Sequence, residues 1–141
     1  MTREAVAGLV EQWQEARGRH DLEALIGLYA SDCVVVSPMA AGNVHGPEAN
    51  AKVYRAFFEA FPDATIEVEE LLIDGDRVVE IGTLRATDTG GLMGMAPSGK
   101  LAVIPIVILS KVRNGEIVYE RRVYDFTGLL VQIGVLKARP A

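Results

Sequence analysis

The sequence predicts an α+β domain in which three N-terminal helices lie on the concave face of a curved antiparallel sheet that forms a cone-shaped barrel. Two observations predict this class. Apolar residues recur at helical spacing as far as Pro62, whereas from Ala64 onward they follow the alternation of strands separated by Asp-Gly and Asn-Gly turns. Helices that are segregated from a run of strands are typical of helices packed on one face of an antiparallel sheet. We expect one domain over residues 1–141.

The N-terminal half is expected to contain the three helices. Apolar side chains recur at helical spacing over residues 3–18, and Thr2 is suited to cap this first helix. Asp21 is suited to cap a shorter second helix whose inner side includes Tyr29. Pro47 fits the first position of a third helix, which Pro62 ends.

Strands make up most of the rest. The β-branched run Cys33–Val36 predicts a short buried strand, and residues 39–46 a loop. The later strands run from Ala64 to the Asp74-Gly75-Asp76 turn, from Arg77 to Thr87, from Leu101 to Val112, and from Ile117 to Phe126. Pro105 cannot donate to a ladder, so it indicates a bulge, an edge or a sharp bend.

Composition removes several classes of function. The net charge of −5 argues against a binder of the nucleic-acid backbone, because such a protein needs a basic patch. His20 and His45 are too few for a histidine-based metal site, and the single Cys33 cannot form an internal disulfide. The sequence has no apolar run long enough to span a membrane and no signal-peptide pattern, so we expect a cytoplasmic location.

The last predicted strand carries the densest group of polar side chains. Because side chains alternate along a strand, Glu120, Arg122 and Tyr124 share one face. Facing a cavity, Arg122 could hold a carboxylate, enolate or carbonyl oxygen, and the alternative is an ion pair with Glu120. Glu120 is the better candidate for a general base, because it would be enclosed in an apolar cone. Asp125 ends the strand, where it could be catalytic or could accept backbone N–H groups of the turn.

Five segments carry a resemblance to a known family. They are VHGPEA, FPDATIEVEEL, GLMGMAPSGK, NGEIVYE and YDFTGLLVQIG, spread in this order from Val44 to Gly134. In these segments the chain resembles the SnoaL-like polyketide cyclases and the ester cyclases, which belong to the nuclear transport factor 2-like, ketosteroid isomerase-like superfamily.

The resemblance implies a cone-shaped cavity, no cofactor and a homodimer formed through the outer face of the sheet. It also implies an acid/base aspartate on the last strand, and that position is Arg122 here. The polar helper positions fall at about Ile106, Ile108 and Val36, and the histidine before the glycine-rich loop is Asp88. An arginine stays protonated at neutral pH, so an aldol-cyclase mechanism would be altered or absent.

The residues expected to contact an apolar ligand are Trp13, Tyr29, Val36, Tyr54, Phe57, Met93, Ile106, Ile108 and Tyr124. The candidate catalytic residues are Arg122, Glu120, Asp125 and Asp88, the last of which could instead be a solvated turn residue. The function expected is a small cofactor-independent enzyme that cyclises, isomerises or hydrolyses a polyketide-, terpenoid- or lipid-like compound. The alternatives are a non-catalytic binding or dimerisation module and an enzyme like limonene-epoxide hydrolase.

Overall fold

The computed structural model describes residues 1–139, which form four α-helices and a single six-stranded sheet. The helices are α1 (Arg3–Gly18), α2 (Leu22–Ile26), α3 (Pro47–Ala60) and α4 (Phe126–Gln132). The strands are β1 (Tyr29–Val36), β2 (Val44–His45), β3 (Thr65–Asp74), β4 (Arg77–Thr87), β5 (Leu101–Arg113) and β6 (Glu116–Tyr124). Within residues 1–139, no helix combines the length and apolar character needed to cross a bilayer.

The three predicted helices begin where their capping residues indicated. The Thr2 side chain accepts a hydrogen bond from the Ala5 N–H at the start of α1 (3.1 Å), and Asp21 accepts one from Ala24 at the start of α2 (3.1 Å). Pro47 is the first residue of α3, where its missing N–H is not needed. These three helix starts are confirmed.

The predicted α+β fold with a curved sheet is confirmed, and the sheet is unclosed. Its strand order is β2-β1-β6-β5-β4-β3, which leaves β2 and β3 at opposite edges. The meander from β3 to β6 is antiparallel, but β1 runs parallel to β6, so the sheet is mixed rather than purely antiparallel. The parallel pairing arises because the chain from β1 passes through α3 and the whole meander before β6 returns beside it.

Three local predictions also need correction. Tyr29 begins β1 instead of continuing α2, which ends at Ile26 before Gly27. Within the expected loop 39–46, Val44 and His45 pair with β1 as β2. The final strand stops at Tyr124, because the next residue, Asp125, caps a fourth helix.

The fourth helix explains how the β-sheet tolerates Pro105. The pairing of β5 with β6 ends at Ile106, and beyond it the Gln132 side chain of α4 bonds to both backbone groups of Val103 (2.7 and 3.1 Å). Residues two apart in a strand direct their backbone groups to the same side. The missing N–H of Pro105 therefore faces the side where strand pairing has already ended, as expected for an edge position.

A glycine allows the close strand approach at the bend of the sheet. The β3–β4 register shifts between Val68 and Glu70, and β4 passes this bulge at Gly82. A Cβ atom at position 82 would lie 2.0 Å from the Glu67 carbonyl oxygen, so only glycine fits there. Bulges bend the strand that contains them, and this one curves the sheet around the space under the helices.

Candidate functional site

A cavity of about 320 Å³ lies between the helices and the inner face of the sheet. Most of its walls are apolar or aromatic. The residues that line it are Gln14, Arg17, Gly18, Ser37, Met39, Val53, Tyr54, Phe57, Phe58, Ala64, Thr65, Ile66, Val68, Leu84, Ile106, Ile108, Glu120, Arg122 and Tyr124. An apolar cavity with a few convergent polar groups is the usual form of a small-molecule site.

The inner face of strands β4, β5 and β6 forms the floor of the cavity. The strand register aligns its polar groups across these strands. Ile108 of β5 pairs with Glu80 on one side and Arg122 on the other. One step along the same inner face, Ser110 pairs with Glu120. The inner face of the central strands therefore carries two carboxylates and one guanidinium among otherwise apolar side chains.

Arg122 and Glu120 form a buried ion pair at this floor. The Glu120 carboxylate is completely buried and accepts from Arg122 Nε at 2.7 Å and from Arg122 Nη2 at 3.1 Å. The Tyr29 hydroxyl donates to the same Glu120 oxygen that Nη2 contacts. Three donors thus satisfy Glu120, which is what a buried carboxylate requires.

The guanidinium group of Arg122 is held from two further directions. Its Nη2 also donates to Asn50 Oδ1 at 2.9 Å, and its Cζ atom lies 4.2 Å from the centre of the Tyr54 ring. Tyr54 is itself fixed by a hydroxyl–hydroxyl hydrogen bond to Tyr29 (2.9 Å). Arg122 Nη1 makes no hydrogen bond with any group in residues 1–139, so one edge of a rigid guanidinium remains available at the cavity.

Burial and charge keep this network in one protonation state. Burial alone would lower the pKa of Arg122, but the Glu120 carboxylate together with Tyr54 and Tyr29 outweighs burial, and the pKa is raised. Burial raises the pKa of Tyr54, and burial together with the Glu120 charge raises that of Tyr29 far more. Burial also raises the pKa of Tyr124. At neutral pH the site therefore presents a guanidinium cation and neutral phenols.

A second buried ion pair adjoins the cavity, and the sequence analysis missed it. Arg17 Nη2 lies 2.9 Å from a Glu80 oxygen that also accepts from Gln14 Nε2 at 2.8 Å. The guanidinium of Arg17 lies 5.1 Å from the centre of the Trp13 ring. The spacing could have revealed the contact of Arg17 with Trp13, although not the ion pair, because Arg17 follows Trp13 by four residues and so shares the inner face of α1.

The structure brings seven of the predicted site residues together around the cavity. They are Tyr54, Phe57, Ile106, Ile108, Glu120, Arg122 and Tyr124. The other six predicted residues are not part of its lining. Trp13 and Tyr29 pack edge to face behind the wall with ring centres 6.2 Å apart, and Val36 is half-buried in β1. Met93 lies in an outer loop with 72% of its surface exposed.

The two remaining predicted residues, Asp88 and Asp125, bind backbone groups. Asp88 is buried and accepts from the N–H groups of Gly91 (3.1 Å) and Ser98 (2.9 Å), which fixes both ends of the glycine-rich loop. Asp125 accepts from the Gly128 N–H at 2.8 Å as the N-cap of α4. Both carboxylates thus organise local backbone.

No group of three or more His, Cys, Asp or Glu side chains within residues 1–139 is arranged to hold a metal ion. The charged groups that line the cavity are Arg17, Glu120 and Arg122. Their chemistry is that of fixed hydrogen-bond donors with buried counter-ions, and the donors face a space enclosed mostly by apolar side chains.

Solved structures show the same fold in proteins from several bacteria. AclR of Streptomyces galilaeus, provisionally described as a hydroxylase, is 27% identical, with a TM-score of 0.84 over 99% of this chain and 87% of AclR. IdmH of Streptomyces antibioticus, provisionally described as a polyketide cyclase, is 28% identical, with a TM-score of 0.78 over 92% of this chain and 98% of IdmH. A Xanthomonas campestris protein with the same provisional description shares the fold at 20% identity and a TM-score of 0.85, over 94% of this chain and 98% of its own.

No protein with a curated description matches the sequence significantly. The pattern of the SnoaL-like polyketide cyclases, by contrast, matches residues 7–133, which run from within α1 to the residue after α4. Because this match extends over nearly the whole chain, the chain belongs to the SnoaL-like polyketide cyclase family.

Proposed function

We propose that this chain is a cofactor-independent enzyme that acts on an apolar carbonyl compound held in the cavity. The observation that carries the proposal is the Nη1 edge of Arg122, which makes no hydrogen bond within residues 1–139 and lies beside about 320 Å³ of mainly apolar space. A guanidinium whose other donors are fixed needs no reorganisation to bind an oxygen on which negative charge develops. In an apolar surrounding such an interaction is stronger than in water.

The substrate class follows from the groups beside Arg122. Glu120 accepts three hydrogen bonds, so removing a proton from a substrate would require one of them to break. We therefore assign Glu120 as the positioning residue that aims Arg122. A site of this kind suits substrates whose C–H bond is already acidic, such as one flanked by two carbonyl groups. For such substrates, stabilisation of the enolate by Arg122 can lower the reaction barrier without a strong base. Ring closure or isomerisation through an enolate is the reaction class we propose. Water takes up the acidic C–H proton, Arg122 Nη1 binds the enolate oxygen that forms, and water returns a proton to the product.

A non-catalytic binding module is the second candidate, and one observation favours it. Both carboxylates of the inner face, Glu80 and Glu120, are engaged by arginines, so neither is a free base. An epoxide-hydrolase-like reaction would need carboxylates that hold a water in the cavity. Asp88 and Asp125 bind backbone groups elsewhere and give it no support.

Turnover in cofactor-free buffer tests the proposal. Apolar β-dicarbonyl compounds and epoxides would be incubated with wild type and with Arg122→Met/Glu120→Gln, which removes the charges as a pair. For β-dicarbonyl compounds we expect kcat to fall about 100-fold or more in the paired variant, the usual loss for a removed oxyanion donor. Arg122→Lys should recover part of the activity. Chromatography with mass detection would follow the product.

Equal turnover by wild type and the paired variant would remove Arg122 from the chemistry. Binding of these compounds without turnover in wild type would favour the module instead.

We also propose that two copies associate through the outer face of the sheet. The apolar positions Val103 and Val107 lie on this face, and Val123 pairs with Val107 on the neighbouring strand with 50% of its surface exposed. Light scattering at micromolar concentration is expected to give the mass of a dimer, and Val123→Glu to reduce it to that of a monomer. A monomeric wild type would contradict this association.

A further inference from the structure

Arg17 is a second buried arginine that lines the cavity, and the proposed function does not use it. Its side chain is 9% exposed and both terminal nitrogens contact the Glu80 carboxylate, at 2.9 and 3.4 Å. Glu80 also accepts from Gln14, which fixes the carboxylate from the same helix. We call the group formed by Gln14, Arg17 and Glu80 the second polar station. Like the pair of Arg122 and Glu120, it consists of side chains that hold one another in fixed orientations.

The second polar station contains one donor and one acceptor that are available to a ligand. With respect to residues 1–139, Arg17 Nε and Gln14 Oε1 have no hydrogen-bond partner, and neither atom is sealed off by the surrounding protein. Both residues line the cavity. The station thus offers one cationic donor and one neutral acceptor to a bound molecule.

The strand register gives the backbone spacing between Glu80, the partner of Arg17, and Arg122. Glu80, Ile108 and Arg122 occupy matching positions on three neighbouring strands. Adjacent strands are about 4.8 Å apart, so Glu80 and Arg122 stand about 10 Å apart across the floor. Ile108 lies between them, and Phe57 and Phe58 also line the cavity. Two polar ends are therefore separated by an apolar middle.

We propose that the cavity recognises an elongated apolar molecule that carries an oxygen function at each end. One oxygen accepts from Arg122 Nη1 and the other from Arg17 Nε, while Gln14 Oε1 accepts a hydrogen bond when the second function is a hydroxyl. A ligand with a single oxygen would displace water from one of the two cations and leave its donors unsatisfied, which costs binding energy. This inference rests on the proposed binding of an oxygen by Arg122 and makes Arg17 a specificity-determining residue.

The test compares two probes that differ only in the second oxygen function, 2-acetylnaphthalene and 2,6-diacetylnaphthalene. Both are neutral, so the overall charge of the site does not bias the comparison. Equilibrium dialysis with absorbance detection gives the dissociation constants. We expect wild type to bind the diketone about tenfold or more tightly than the monoketone, the effect of one further hydrogen bond to a charged donor.

Two paired variants assign this preference to its residues. Arg17→Met/Glu80→Gln is expected to remove the preference for the diketone, because the second oxygen of the diketone then has no cationic donor. Arg122→Met/Glu120→Gln should weaken the binding of both probes. Since each variant removes one positive and one negative charge together, neither leaves a buried carboxylate unpaired, and circular dichroism would verify the fold.

The outcomes separate this inference from the proposed function. Equal affinities of the two probes for wild type, or a preference that persists in Arg17→Met/Glu80→Gln, would overturn the role of Arg17 and leave Arg122 untouched. Binding that is insensitive to Arg122→Met/Glu120→Gln would overturn the proposed role of Arg122. If neither ketone binds, both proposals fail for aromatic ketones.

Discussion

An Arg122→Met variant is expected to lose about 3–5 kcal/mol of the free energy of unfolding. The loss arises because Glu120 is completely buried and would keep only the Tyr29 hydroxyl as a hydrogen-bond donor. A carboxylate enclosed without a cation must either carry an uncompensated charge or take up a proton, and both destabilise the native state. Urea unfolding followed by circular dichroism measures the change.

The paired variant Arg122→Met/Glu120→Gln distinguishes this mechanism from a loss of packing. Removing both charges leaves no unpaired ion, so we expect it to recover most of the stability. Arg113→Met is the matched control, because Arg113 bonds to Asp32 at 2.9 and 3.0 Å in an exposed pair. That variant should change stability little, since water solvates both partners of an exposed pair. If Arg122→Met were as stable as Arg113→Met, the buried pair would not support the fold.

The fold was largely predictable because its signals are local. Capping by Thr2 and Asp21 and the Asn114-Gly115 turn depend on neighbours in sequence, and the structure has each of them. The parallel partner of β1 was not predictable in this way, since β6 lies more than 80 residues further along the chain. The fourth helix was missed because Gly128 lowers helix propensity. Its Asp125 cap is local, whereas the Gln132 contact to Val103 depends on tertiary structure.

The candidate site was predictable only on the strand that carries it. Alternation along β6 places Glu120, Arg122 and Tyr124 on one face, and all three line the cavity. Arg17 reaches the same cavity from α1, and its partner Glu80 is 63 residues away, a separation at which no local pattern signals an ion pair. Asp88 and Asp125 show the converse, since an acid near a suggestive motif can be satisfied entirely by backbone N–H groups.

Stability is expected to fall steeply above pH 10 because two buried phenols, Tyr29 and Tyr54, and the half-buried phenol of Tyr124 resist ionisation. Burial raises the pKa values of Tyr29, Tyr54 and Tyr124, and the Glu120 charge adds to the effect at Tyr29. Above pH ~10 the unfolded chain releases these protons while the native state retains them, so unfolding is favoured as pH rises. Each phenol lowers the free energy of unfolding by about 1.4 kcal/mol per pH unit until its own native pKa is reached. The three together lower it by up to about 4 kcal/mol per pH unit.

Urea unfolding between pH 8 and pH 11.5 measures this loss, and absorbance at 295 nm reports phenolate formation. We expect phenolate from these three residues to appear together with the loss of the circular dichroism signal. Tyr124→Phe should make the fall shallower, because one phenol with a raised pKa is removed. Burial also raises the pKa of the Cys33 thiol, so Cys33→Ala would be used as the background for these variants. Ionisation of all tyrosines near pH 10 without unfolding would mean that water reaches the network around Glu120, and the rigid Arg122 edge on which the proposed chemistry depends would then be lost.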